Sequence, residues 1–101
     1  MALFVVVAID RPGRLERRLS TREKHLSYLV ELGESIKSAG PFTTEDGVPC
    51  GSMLIIEAET IEEVENTLSK DPYVASGLFE SVTIRPWKHI VGSGIHYKKL
   101  S

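Results

Sequence analysis

The first apolar block, Leu3-Phe4-Val5-Val6-Val7-Ala8-Ile9, would be hydrophobic on both faces of an extended chain. Such a β-branched run suits a central strand covered on each side. It stops at Asp10-Arg11-Pro12-Gly13, a turn sequence. After a basic stretch with Arg14, Arg17 and Arg18 comes Ser20-Thr21-Arg22-Glu23, which has the form of a capping box. There Ser20 and Glu23 would each satisfy one backbone N–H, and a helix is predicted to start. Leu26, Leu29, Gly33 and Ile36 then recur at helical spacing as far as Ser38-Ala39-Gly40-Pro41. Gly40 offers a stop and Pro41 forbids continuation, so the expected helix has about five turns.

Phe42 to Thr44 is a short strand candidate, and Asp46-Gly47 is a turn signal before a second strand from Gly51 to Ala58, which predicts a hairpin. Thr60-Ile61-Glu62-Glu63 is another capping box, opening a helix whose apolar stripe is Ile61, Val64 and Leu68. Asp71-Pro72 closes that helix and can itself cap a short turn, with the proline at the first helical position. A last strand is expected from Leu78 to Arg85. The order βαββαβ is the ferredoxin-like split motif of the α+β class, a four-stranded antiparallel sheet with both helices on one face.

Two helices cover only one face, yet the first strand and Met53-Leu54-Ile55-Ile56 are apolar on both. The remaining face is best hidden by a second copy packed sheet against sheet, so a homodimer is expected. Residues 89–101, loosened by Gly92-Ser93-Gly94, are read as a tail of the same domain, either frayed or reaching the partner.

A length of 101 residues fits one core, since two would each fall near the size where burial barely offsets chain entropy. Hydrophobic residues at 42% and charged residues at 26% argue against a disordered chain. The longest apolar run is far below the ~20 residues of a spanning helix, and no basic stretch precedes it, so neither a membrane span nor a secretory signal is expected. Cys50 is the single cysteine, which leaves no internal disulfide and makes the cytoplasm the default location. A formal net charge of -2 gives no electrostatic reason to bind nucleic acid.

On a helical wheel Arg22 falls within the arc of Leu26, Leu29, Gly33 and Ile36, with His25 at its edge. An imidazole at the mouth of a core is either a satisfied structural histidine or a group placed for proton transfer near neutral pH. Asp71 is explained by capping alone, although capping and chemistry can coexist. The arginines 11, 14, 17, 18 and 22 form either a solvated basic face or a field that attracts a carboxylate or phosphate. Cys50 has no neighbouring histidine to activate it, and His89 and His96 in the tail are too few ligands for a metal site. No cofactor is expected.

The words Arg22-Glu23-Lys24-His25-Leu26, Ser38-Ala39-Gly40-Pro41, Gly51-Ser52, Asp71-Pro72-Tyr73, Gly77-Leu78 and Ile84-Arg85-Pro86-Trp87, in this order and spacing, resemble the YciI-like (YCII-related) family over roughly residues 1 to 88. The resemblance implies the dimeric α+β barrel superfamily, in agreement with the βαββαβ order. It also implies a His–Asp pair lining a pocket, matched here by His25 and Asp71. The carboxylate would fix the imidazole tautomer and leave its other nitrogen as general base. The family is similar to a dehydrochlorinase acting on a hydroxylated aromatic, and its superfamily includes muconolactone isomerases. Proton abstraction beside a carbonyl is the shared theme. Two readings follow. One is a cofactor-independent lyase or isomerase for a small anionic, cyclic or aromatic metabolite, with His25 as base, Asp71 as orienter, Arg22 as anchor, and Ser38 and Tyr73 as further binding residues. The other is a non-catalytic module for a small ligand or a protein, in which the His–Asp pair only fixes helix ends.

Overall fold

The computed structural model describes residues 1–92. Strand β1 (Ala2–Asp10) leads to helix α1 (Leu15–Leu32), a 3-10 turn (Gly33–Ser35), strands β2 (Ile36–Thr43) and β3 (Pro49–Ala58), helix α2 (Ile61–Ser69), a four-residue helix α3 (Pro72–Ala75) and strand β4 (Phe79–Trp87). The strands form one sheet in the order β2-β3-β1-β4, and every pairing is antiparallel. This is the ferredoxin-like βαββαβ arrangement of the dimeric α+β barrel protomer, with α3 added before the last strand.

Residues alternate across β1 as the pleat requires. Phe4, Val6 and Ala8 are buried on the helix side and register against Ile56, Leu54 and Ser52 of β3. Val64 and Leu68 of α2 close over Phe4, Val6, Leu54 and Ile56. Each such side chain contributes about 1.5–3 kcal/mol by leaving water, so this cluster holds the helices to the sheet. On the other side Leu3, Val5, Val7, Met53 and Ile55 are only partly buried, and Ile9 is exposed.

Helix α2 begins as its sequence predicts. Thr60 Oγ1 accepts from the Glu63 N–H at 3.2 Å, and Glu63 Oε2 accepts from the Thr60 N–H at 3.2 Å. The hairpin turn also lies at Asp46-Gly47, with Gly47 at a φ of 85° and its N–H donated to Thr44.

Helix α1 departs from expectation at both ends. It starts at Leu15 rather than at the Ser20 box, and the Ser20 hydroxyl donates back to the Arg17 carbonyl from inside the helix. The early turn is held by tertiary contacts of Arg17 and Arg18, which no local capping rule anticipates. The helix ends at Leu32 because Gly33 takes a φ of 59°, a left-handed conformation that glycine adopts without a Cβ penalty. Ser38, Ala39 and Gly40, expected to end the helix, are strand residues of β2. Pro41 is accommodated there because β2 is an edge strand, where a missing N–H donor costs no ladder bond.

Strand β4 runs to Trp87, two residues further than predicted. In the tail, the His89 ring stacks on Trp87 with centroids 5.2 Å apart. His96 and the rest of the proposed tail arm lie outside the described residues.

Candidate functional site

Helix α1 carries Arg18, Arg22, His25 and Leu29 on one stripe, at i, i+4, i+7 and i+11. The α2–α3 junction delivers Asp71 and Tyr73 against that stripe. Pro72 at the first helical position fixes the backbone, and Asp71 caps α3 by accepting the Tyr73 N–H on Oδ1 at 2.9 Å. The same oxygen lies 2.8 Å from Nδ1 of His25, and Oδ2 lies 3.1 Å from it. Asp71 is 2% exposed and His25 7%, so the contact is made out of water. A carboxylate can only accept, so the Nδ1 proton points at Asp71, and in the neutral ring Nε2 keeps its lone pair.

The Tyr73 ring stacks on the His25 imidazole, with centroids 3.9 Å apart and planes 18° apart. The Arg18 guanidinium carbon sits 4.6 Å from the centre of the same ring. Arg18 and His25 are two helical turns apart, about 10 Å of rise, and the tyrosine ring fills that interval. Burial pushes the Tyr73 phenol up, with Asp71 adding to the effect, while Arg18 and Arg22 oppose it.

Arg18 is buried, at 3% exposure, and is not part of a solvated basic face. Its Nε and Nη2 hold the two Asp10 oxygens at 2.7 and 2.8 Å in a fork, and Nη2 also donates to Ser52 Oγ at 2.9 Å. Burial works against its charge, but the Asp10 carboxylate and Tyr73 outweigh that and hold the guanidinium more firmly protonated. Arg17 donates to the Ser76 carbonyl and ties α1 to α3 a second time.

These groups line a cavity of about 260 Å³ between α1 and the edge of the sheet. Arg18, Arg22, His25, Ser52 and Tyr73 form its polar wall, and Leu26, Leu29, Met53 and Leu54 its apolar one. Arg22 is exposed at its mouth. A planar molecule bearing one or two oxyanions matches this lining of two guanidinium groups, an imidazole and apolar walls. A larger hollow, about 870 Å³, opens on the other side of the sheet between Leu3, Ile55 and Trp87, and Ser38 lies there. It holds no base with a buried carboxylate behind it, so the smaller cavity is the candidate site. Among the described residues no cluster of three His, Cys, Asp or Glu side chains forms a metal set.

Of the residues singled out by sequence, His25, Asp71, Tyr73 and Arg22 come together and Ser38 does not. From the sequence Arg18 counts only as one of five arginines of a basic face or field, and Asp10 and Ser52 are assigned no role. One signal was available for Arg18, since it extends the His25 stripe by two turns.

A family model for the YCII-related domain matches residues 2–88. Protein YciI from Escherichia coli is 35% identical over 96 residues, 87% of this chain and 98% of that protein. An uncharacterized protein from Haemophilus influenzae is 33% identical, covering 86% of this chain and 97% of its own. Among solved structures, 5-chloro-2-hydroxyhydroquinone dehydrochlorinase from Burkholderia phenoliruptrix, in complex with 2,5-dihydroxybenzoquinone, is 38% identical with a TM-score of 0.80. That match covers 86% of this chain and 94% of the dehydrochlorinase. On the match to residues 2–88 and the identity to YciI proteins, the chain belongs to the YCII-related domain family.

Proposed function

We propose that the protein is a cofactor-independent lyase or isomerase that moves a proton on a small anionic, cyclic or aromatic molecule. The observation that carries this reading is the buried 2.8 Å contact from Asp71 to Nδ1 of His25 at the wall of the cavity. Asp71 orients the ring and stabilises the imidazolium, and Nε2 acts as the base. Arg22 at the mouth attracts the anion, and Tyr73 holds the imidazole plane by stacking. The name and bound quinone of the related dehydrochlorinase support a hydroxylated ring as substrate class.

The test is hydrogen–deuterium exchange at ring carbons beside a carbonyl, followed by proton NMR over a panel of hydroxylated cyclic ketones and quinones, together with chloride release from 5-chloro-2-hydroxyhydroquinone. The wild type should accelerate one of these, and His25→Gln should lose about 100-fold or more, within the range that general-base catalysis contributes. A panel with no accelerated member, or equal rates in His25→Gln, gives the site to a binding module instead.

The protein is further proposed to work as a homodimer through the open sheet face, on the strength of the part-buried Leu3, Val5, Val7, Met53 and Ile55. Light scattering tests this, and a monomer at micromolar concentration would refute it. The free, exposed Cys50 fits a reducing cytoplasm. Among the described residues no helix is long and apolar enough to cross a membrane.

A further inference from the structure

We propose that the outer face of α1 is a second self-association surface, on which the same face of another copy packs antiparallel about a two-fold axis. Leu15, Leu19, Leu26 and Val30 are all exposed, Leu19 by 55% and Val30 by 79%. By helical geometry they fall within about 60° of one another, roughly a quarter turn round the helix from buried Arg18 and His25. The exposed Arg22 lies between Leu19 and Leu26, and its methylene stem carries the apolar strip across that gap. Leu19 and Leu26 also line the candidate cavity, but Leu15 and Val30 do not, so a ligand accounts for only the middle of the strip. A single exposed leucine needs no explanation, whereas a row along one helix does.

The occupant follows from symmetry and charge. The intervals between these residues are four, seven and four positions, which read the same in both directions. A two-fold contact requires that property, because residue i must meet j while j meets i. Laid antiparallel, Leu15 meets Val30 of the second copy and Leu19 meets its Leu26, and the axis repeats each contact. The charges agree with this direction. Arg14 stands at the N-cap of α1 and Arg17 in its first turn, against Glu16 alone. Glu31 lies in the last turn and Glu34 in the 3-10 turn after it, with no basic residue in the last turn of α1. These charges add to the helix dipole where side chains usually oppose it, so each end is unfavourable alone. In the antiparallel pair the basic end of one helix lies beside the acidic end of the other. A parallel pair would set like ends together. At the axis Arg22 and Glu23 of both copies gather, two of each sign.

One helix face buries less than the roughly 1,200 Å² of a standard stable interface, so this contact is weaker than the sheet face and pairs sheet-face dimers only well above micromolar concentration. It seats the second helix at the rim of the cavity, where Leu19, Arg22 and Leu26 stand.

Sedimentation velocity from about 5 µM to about 1 mM tests this, since the association follows mass action. The wild type should pass from dimer to tetramer across that range. Leu15→Glu and Val30→Lys should each lower the association constant about tenfold or more, because each removes an apolar contact that the axis repeats. Both put a charge where the helix dipole favours it, so neither loss can come from a weakened helix. The two positions are about 22 Å apart along one helix and cannot meet within a chain. They meet only between copies, so the double variant, and an equimolar mixture of the two single variants, should recover association to within about threefold of the wild type. Val7→Lys, which removes the sheet contact, should show the same step as monomer to dimer at the top of the range, and this separates failure of one surface from failure of the other. A wild type whose size never changes with concentration leaves the strip to a different protein and overturns the proposal. Association that ignores both single variants, or a double variant no better than they are, overturns it too.

Discussion

One oxygen of Asp71 accepts both from Nδ1 of His25 and from the backbone N–H of Tyr73, at 2.8 and 2.9 Å. The cap of α3 and the orientation of the imidazole are thus one interaction seen from two sides.

Asparagine at this position should separate the two duties. Asp71→Asn keeps a carbonyl for the Tyr73 N–H and should cost little stability, whereas Asp71→Ala leaves the cap and the buried imidazole unpaired and should cost about 2–4 kcal/mol. Urea unfolding of the two variants checks this, and equal losses would mean that the cap carries no weight.

The tautomer of His25 can be read directly. In the neutral protein, nitrogen-15 NMR of the imidazole should place the proton on Nδ1 and leave Nε2 bare. Asp71→Ala should give a mixture of tautomers. A proton fixed on Nε2 in the wild type would remove the base from the cavity wall.

Alkaline pH should weaken the fold through the buried Tyr73 and the part-buried Tyr28. Burial raises Tyr73, assisted by Asp71, and also raises Tyr28, assisted by Asp71 and Glu31. A group raised in the folded state stabilises fully below its unfolded value, about 10 for a phenol. Above that value the unfolded chain releases the proton while the folded one keeps it, and stability falls as pH climbs through the folded value. Urea midpoints measured from about pH 9 to about pH 11 should decline less steeply in Tyr73→Phe than in the wild type. Parallel curves would contradict this sign.

Gly51 should tolerate no side chain. A Cβ there would stand 2.6 Å from the Ala8 carbonyl oxygen and 3.2 Å from the Phe42 ring, on the paired strands on either side. Because one obstacle is backbone, relief requires the sheet to shift, and Gly51→Ala should cost about 1–3 kcal/mol. A thermal melt unchanged from the wild type would count against this packing.

A charge on the open sheet face tests the proposed dimer. Val7→Lys places an ammonium at the centre of that face and should yield a folded monomer by light scattering. A wild-type dimer that survives the change would have to use another surface.

Much of this architecture was legible in the chain. The apolar and alternating patterns give β1, β3 and β4 but only the end of β2, the Thr60 box starts α2 where the structure has it, and Asp71-Pro72 caps α3. Both ends of α1 are misread, and at its C-terminal end two glycines competed. Gly40 had a proline behind it, but Gly33 is the residue that turns left-handed, and the pairing of Ile36 with Ile56 then draws the following residues into the sheet. Long-range register, invisible to local rules, decides between them. The site was half legible for a similar reason. His25 and Asp71 are 46 positions apart, and only the resemblance joined them. Arg18 looked like one more surface charge because its partners, Asp10 and Ser52, arrive from two different strands.

The four-residue helix α3 has consequences for how the protein opens. It is too short to persist alone, and it is held to α1 through Asp71, Tyr73 and Ser76. Its amides and those of the middle of α1 should therefore exchange with solvent as one unit. A molecule seated in the cavity would slow that exchange in both segments at once, so occupancy of the site is written into the breathing of the backbone around it.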